Sequence, residues 1–346
     1  MGAGRGNVRR MTSKSRPSTQ IVKKSLKRIP LGKQCPLCKA IVSRRAGKMI
    51  CDCENKLKIK KQSGGVCVYR WKLEKGEDYY PERRATPITS KEKVAIIGDT
   101  HGRLLVLKEV LLRAGVIDES GKRNPEFKRV IHIGDLMDGR RAGMDKMTLE
   151  FADDVFDEVL VGNHEAAYMG GESFSSMEAI DPESQRILNR WEREGKLVVA
   201  TCVDDWLLTH GGLDPELSPA KTPSDSQELP VVATQEEVEA VVEVLNDTWR
   251  FQRHSDAFKE CFLQIGEARG GMAEYGGVLW NDFSRLVATE SQQRYKQVVG
   301  HTPQKEALVS PQGMVVNVDA GKRGKKVSSC LVVDSEGSQV VMGSAN

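Results

Sequence analysis

The arrangement that most limits this chain's fold is a repeated one: a short β-branched run stops at a glycine, and a cluster of acids, amides or imidazoles follows at once. Val94–Ile97 leads into Gly98-Asp-Thr-His-Gly102, Val130–Ile133 into Gly134-Asp-Leu-Met-Asp138, and Val159–Val161 into Gly162-Asn-His-Glu165. Thr209-His-Gly-Gly212 and Gly300-His-Thr302 repeat the theme later in the chain. Short continuous apolar runs read as buried strands, and between them Leu104, Leu107, Val110 and Leu111 recur at helical spacing. Such alternation predicts an α/β fold. Strand carboxyl ends converge on one edge of an α/β sheet, which is where these folds place their ligand sites.

The rest of the large domain follows the same alternation. Pro182–Glu194 is expected to be helical, with Asp181 as its N-cap and Pro182 in the tolerated first position. Gln235–Phe258 reads as a second long helix. Val198–Cys202 and Trp206–Thr209 read as a pair of strands, and Val298–Val299, Met314–Val318 and Ser328–Val333 as the last ones. No apolar run approaches the roughly 18–20 residues that span a bilayer, so a helical membrane protein is excluded and no membrane partner is expected.

Charge and cysteine divide the chain unevenly. Residues 1–72 hold 20 lysines and arginines against Asp52 and Glu54 alone, whereas residues 73–346 hold 32 basic and 46 acidic residues, and the net charge is only +4. A basic arm that touches nucleic acid or another polyanion is the preferred reading, with a merely solvated tail as the alternative. Residues 1–33 read as a disordered basic arm, 34–72 as a compact cysteine module ending in a short strand, Val66–Trp71, and 73–92 as a linker. Residues 93–346 form the large domain. Five of the eight cysteines fall in the first 67 residues. Cys35 and Cys38 have the spacing of half a zinc knuckle, Cys51 and Cys53 make a tighter second half, and Cys67 is a substitute ligand. One structural Zn2+ on a zinc-ribbon-like module is expected, because so short a segment cannot build an apolar core. The chain lacks the apolar core of a secretory signal, which points to a reducing, cytoplasmic compartment; the acid-free start also fits an organellar import segment.

Four of the six histidines, His101, His164, His210 and His301, lie in the glycine-flanked motifs. Carboxylates mixed with imidazoles suit divalent manganese, iron or zinc better than magnesium. His132, inside a strand, and His254, on a helix, are expected to be structural.

Taken in order, GDTHG, GDLMD, GNHE, THGG and GHT resemble the calcineurin-like metallophosphoesterases, and most of all their phosphoprotein phosphatase branch. The resemblance spans roughly residues 93–320 and includes Leu279-Trp280 and Asp319-Ala-Gly321. It implies two mixed β-sheets packed as a sandwich flanked by helices, and a centre of two divalent ions. Asp99 and His101 would bind the first ion, Asp135 would bridge, and Asn163, His210 and His301 would hold the second. Two such cations clamp the attacking and leaving oxygens of an in-line displacement, with a metal-activated hydroxide as nucleophile. His164 and Asp138 would form an acid dyad that protonates the leaving alkoxide, while Glu165 would be structural. Where that branch has an arginine directly after the second motif, this chain has Gly139, so either Arg140 or Arg285 is expected to grip the phosphate. The expected substrates are phosphoserine and phosphothreonine in proteins; a nucleotide or nucleic-acid phosphoester (dinucleoside polyphosphate hydrolase, polynucleotide phosphatase or nuclease) is the alternative.

Overall fold

The computed structural model describes residues 42–45, 48–51, 88–138, 142–169, 179–218, 231–252, 258–321 and 327–344. The chain divides into two compact units, Met1–Pro81 and Glu82–Asn346. In the first, β1 (Val42–Arg45) and β2 (Lys48–Cys51) form an antiparallel hairpin. Cys35, Cys38, Cys53, Cys67 and the expected strand Val66–Trp71 lie outside the described residues, as do Arg140 and His254.

Two mixed sheets carry the second unit. The six-stranded sheet has the order β13-β12-β3-β4-β5-β6, with β3 (Val94–Ile97), β4 (Arg129–His132), β5 (Glu158–Leu160) and β6 (Leu197–Val198) running parallel. β12 (Val327–Asp334) pairs antiparallel with β3, and β13 (Gly337–Ser344) with β12. The five-stranded sheet has the order β10-β11-β9-β8-β7. Its centre, β8 (Trp206–Thr209), β9 (Lys296–Val299) and β11 (Val315–Asn317), is parallel. β7 (Ala200–Val203) and β10 (Leu308–Val309) add antiparallel edges.

Alternation of side chains along the strands explains how both faces are filled. Val94, Ile96, Ile131, Ile133 and Leu160 of one sheet pack with Leu208, Val298, Val316 and Val318 of the other in one apolar layer. The intervening residues Ala95, Ile97, Val130 and Val159 turn instead toward the helical layer, with Leu107, Val110 and Leu111 of α1 (Leu104–Arg113) and Leu149 and Ala152 of α2 (Ala142–Val155). Ala200 and Leu207 lie in that cluster beside Val238, Val241, Leu245 and Trp249 of α5 (Gln235–Phe251). α3 is the short helix Asn163–Tyr168, α4 is Pro182–Glu194 and α6 is Phe283–Ala288.

Three sequence expectations need correction. The single strand expected over Val198–Cys202 is split: residues 197–198 join one sheet and 200–203 the other. At the crossing, Asn246 of α5 accepts from the Val199 and Ala200 amides at 3.0 and 3.2 Å and donates to the Ala200 carbonyl at 2.9 Å. A tertiary side chain thus satisfies backbone groups that a sheet ladder would otherwise take. The long helix stops at Phe251 rather than Phe258, because its buried stripe ends at Trp249 and Phe251 is exposed. β13 was not expected at all; it is an edge strand with exposed middle residues, so its sequence lacks a strong apolar alternation. Helix α4 has the expected bounds, with the Asp181 carboxylate accepting from the Glu183 and Ser184 amides. Among the described residues no helix is long and apolar enough to cross a membrane.

Candidate metal centre

The carboxyl ends of β3, β4 and β5 deliver Asp99, Asp135 and Asn163, while β8 and β9 deliver His210 and His301. All five are buried. Among the described residues, three of the four non-glycine residues with positive φ are His101 (48°), Asp135 (51°) and His301 (64°). That left-handed conformation is unfavourable for residues with a Cβ, and it concentrates where surrounding structure holds a side chain in one working direction. Close approach explains two of the motif glycines: a Cβ on Gly162 would run into the Asp135 carboxylate, and one on Gly300 into that of Asp99.

Asp135 sits between two clusters. On one side are His101, with Nδ1 4.0 Å from Asp135 Oδ2, and His164, with Nε2 3.6 Å from the same oxygen. On the other, His210 Nε2 lies 3.3 Å from Asp135 Oδ1, 3.2 Å from Asn163 Oδ1 and 3.2 Å from His301 Nδ1. Asp99 joins through the backbone amide of His301, which donates to its carboxylate at 3.1 Å. The other five residues expected as ligands, with His164, therefore gather around the buried Asp135 carboxylate.

The donor chemistry of this group fits divalent cations. His210 Nδ1 donates to the Ile133 carbonyl at 3.0 Å, which leaves Nε2 as the atom facing an amide oxygen, a carboxylate and a second imidazole. Burial opposes charge on this ring, but the Asp135 carboxylate outweighs it and raises its pKa, so positive charge is favoured at that spot. The buried His101 Nδ1 and His301 Nε2 have no hydrogen-bond partner among the described residues. Burial pulls His101 down to about 4, and burial with the nearby Arg269 charge holds His301 well below the usual histidine range. Both rings are thereby neutral near pH 7, the state in which imidazole binds metal. Burial opposes charge at Asp135, yet the adjoining His164 and His210 outweigh it and hold its carboxyl well below the usual range. Asp99 is pushed well above that range by burial and by the charges of Asp319 and Asp135. Carboxylates, an amide oxygen and imidazole nitrogens converging in a buried space call for added positive charge.

Around this group the other motif residues are satisfied. Each oxygen of the buried Glu165 carboxylate accepts at 2.9 Å, one from the Asp135 and Gly162 amides and the other from the Met137 amide. His132 accepts from the Gly134 amide through Nδ1 and meets Thr100 Oγ1 through Nε2 at 3.1 Å, so neither nitrogen is left for a cation. His164 Nδ1 donates to the Asp138 carbonyl at 2.7 Å. Arg285 is engaged with the buried Asp214 through Nε at 2.8 Å and with the exposed Glu274 through Nη1 at 3.3 Å.

Two residues near the centre were given no role by the sequence reading. Arg269 Nη2 donates to the His301 carbonyl and to Thr302 Oγ1, both at 2.8 Å, pinning the turn that presents His301. Asp319, at the end of β11, is buried and pushed up to about 7 by burial and the Asp135 charge. The sequence signal for Asp319 was present: it follows a β-branched run as the other motifs do. Arg269 had none, since it is joined to His301 only through the tertiary fold.

The profile of the calcineurin-like phosphoesterase family matches residues 92–313. Among solved structures, the chain is similar to a cold-active protein-tyrosine phosphatase of the psychrophile Shewanella sp., with 18% identity and a TM-score of 0.50 over 73% of this chain and 81% of that one. It is also similar to a protein serine/threonine phosphatase from Saccharomyces cerevisiae, with 16% identity and a TM-score of 0.42 over 76% and 82% of the two chains. At these identities the likeness is one of fold. No match was found among curated protein sequences.

Proposed function

Because the chain belongs to the calcineurin-like phosphoesterase family, a class of metal-dependent phosphatases, we propose that it is a two-metal phosphomonoesterase acting on phosphoserine and phosphothreonine in proteins. The observation that carries the two-metal part of this reading is the pair of histidine clusters sharing Asp135. Asp99 and His101 would hold one divalent ion, Asn163, His210 and His301 the other, and Asp135 would serve both; manganese is the first choice, with iron or zinc compatible. Bound cations of this kind polarise the phosphoryl group and make water a stronger nucleophile at neutral pH. His164, fixed in rotation by Asp138, supplies the proton that an alkoxide leaving group requires. Arg140 or Arg285 binds the phosphate oxygens; for Arg285 this means releasing Glu274 while Asp214 keeps hold of Nε.

Substrate class is checked directly. Purified protein with manganese is expected to hydrolyse an aryl phosphomonoester far faster than the matching diester, and phosphopeptides faster than a dinucleoside tetraphosphate or end-phosphorylated RNA. A preference for the diester would point to a nuclease and end the monoesterase reading.

The basic N-terminal segment supports the second reading, a nucleotide or nucleic-acid phosphoesterase, and within the first it supports tethering to a polyanion. Zinc on Cys35, Cys38, Cys51 and Cys53, and an intracellular site of action, belong to the same proposal. Deleting residues 1–72 is expected to leave small-substrate turnover intact and to remove binding to RNA or DNA whose affinity falls steeply with salt. Salt-dependent binding that survives the deletion would show that the arm is not the contact.

A further inference from the structure

We propose that Asp319 is a further residue of the metal centre, a buried carboxylate that faces the bound cations beside Asp99 and His301. The inference rests on the two-cation reading given above.

Sheet register places it there. β8, β9 and β11 run parallel, and the first two continue into His210 and His301. Asn317 of β11 pairs with Val299 of β9, so Asp319 and His301 each lie two residues beyond a paired position, level at the same sheet edge. In the other sheet, β3, β4 and β5 hand Asp99, Asp135 and Asn163 to that centre. Asp319 is thus to β11 what the five strand-end ligands are to their own strands.

The backbone around Asp319 is tied to the ligand turns. Its amide donates to Asn317 Oδ1 at 2.8 Å, its carbonyl accepts from the Gln304 amide at 2.9 Å, and the Val318 amide donates to the Val299 carbonyl at 2.8 Å. The residue is 3% exposed, and its Oδ2 has no hydrogen-bond partner among the described residues. Leaving a carboxylate oxygen buried without a donor is costly, and here the carboxylates of Asp99 and Asp135 add like charge. The nearby Arg269 does not supply the missing donor: its Nη2 serves the His301 turn and its Nε lies 2.9 Å from Asp282. A cation answers both the open oxygen and the surplus negative charge, and a third carboxylate brings the protein's charge closer to that of two dications.

Direct metal binding tests this. Apo full-length protein and its D319N and D319S variants are titrated with Mn2+ by calorimetry, bound metal is counted after desalting, and each apo form is melted. Both variants are expected to lose affinity for at least one cation by about 10–100-fold, the range for residues that support a metal site. Apo D319N is expected to melt about 2–4 °C above apo wild type, because like charge has been removed. Unchanged manganese affinity in either folded variant, or a lower apo melting point with full metal uptake, would mark Asp319 as purely structural and overturn the inference. A wild type that takes up no divalent cation overturns the two-cation reading itself, and this inference with it.

Discussion

Replacing His164 by Asn is expected to lower turnover of phosphoserine and phosphothreonine peptides by about 10²–10⁴-fold, the usual contribution of a general acid. An alkoxide is a poor leaving group and needs the proton as the bond to phosphorus breaks. An aryl phosphate has a leaving group stable enough to depart unprotonated, so its turnover is expected to fall much less. The His164 ring is tied down by its bond to the Asp138 carbonyl, and its other nitrogen points toward Asp135. Since the side chain also borders the His101 cluster, metal content is measured on the same sample. Full metal with a selective loss on alkyl phosphates is the expected pattern. Equal losses on alkyl and aryl substrates, or loss of metal in step with activity, would remove His164 from the role of acid and make it a ligand.

The largest expected effect on stability comes from Glu165→Ala. One buried carboxylate there accepts three backbone N–H groups from two separate turns, those presenting Asp135 and Asn163. Each buried donor left without an acceptor costs about 1–3 kcal/mol, so the alanine variant is expected to lose about 3 kcal/mol or more, read as a lower urea midpoint. Glu165→Gln separates the bonds. Its amide oxygen can keep the Asp135 and Gly162 donors, but its NH2 group then faces the Met137 amide, donor against donor, at a cost of about 1–3 kcal/mol. Metal uptake is expected to weaken in both variants because the two turns lose their common anchor. An alanine variant as stable as wild type would mean that water or a shifted backbone replaces the carboxylate, and that Glu165 does not set the site's geometry.

These effects depend on how the local sequence is assembled. Strands β3, β4 and β5 were legible because runs such as Val94–Ile97 are apolar and β-branched on both faces, and each stops at a glycine. The candidate ligands were legible for the same reason: each stands at a fixed short offset after such a run. Helix α4 was legible to the residue, since Asp181, Pro182 and Gly195 mark its ends by local chemistry. The edge strand β13 and the split at Val199 were not legible. An exposed edge need not alternate, and the choice of sheet at Val199 is made by Asn246, far along the chain.

By itself, the sequence determined which residue types could carry the chemistry and that they would stand at strand ends, because the apolar pattern and the turn glycines act over a few neighbouring residues. Only the tertiary structure decided that Asp135 lies between two histidine clusters, that His210 directs Nε2 rather than Nδ1 at them, and that Asp319 and Arg269 join the centre. Those are contacts between residues tens to hundreds of positions apart. They arise when two sheets pack face to face and bring their strand ends to one edge, and no local pattern records them.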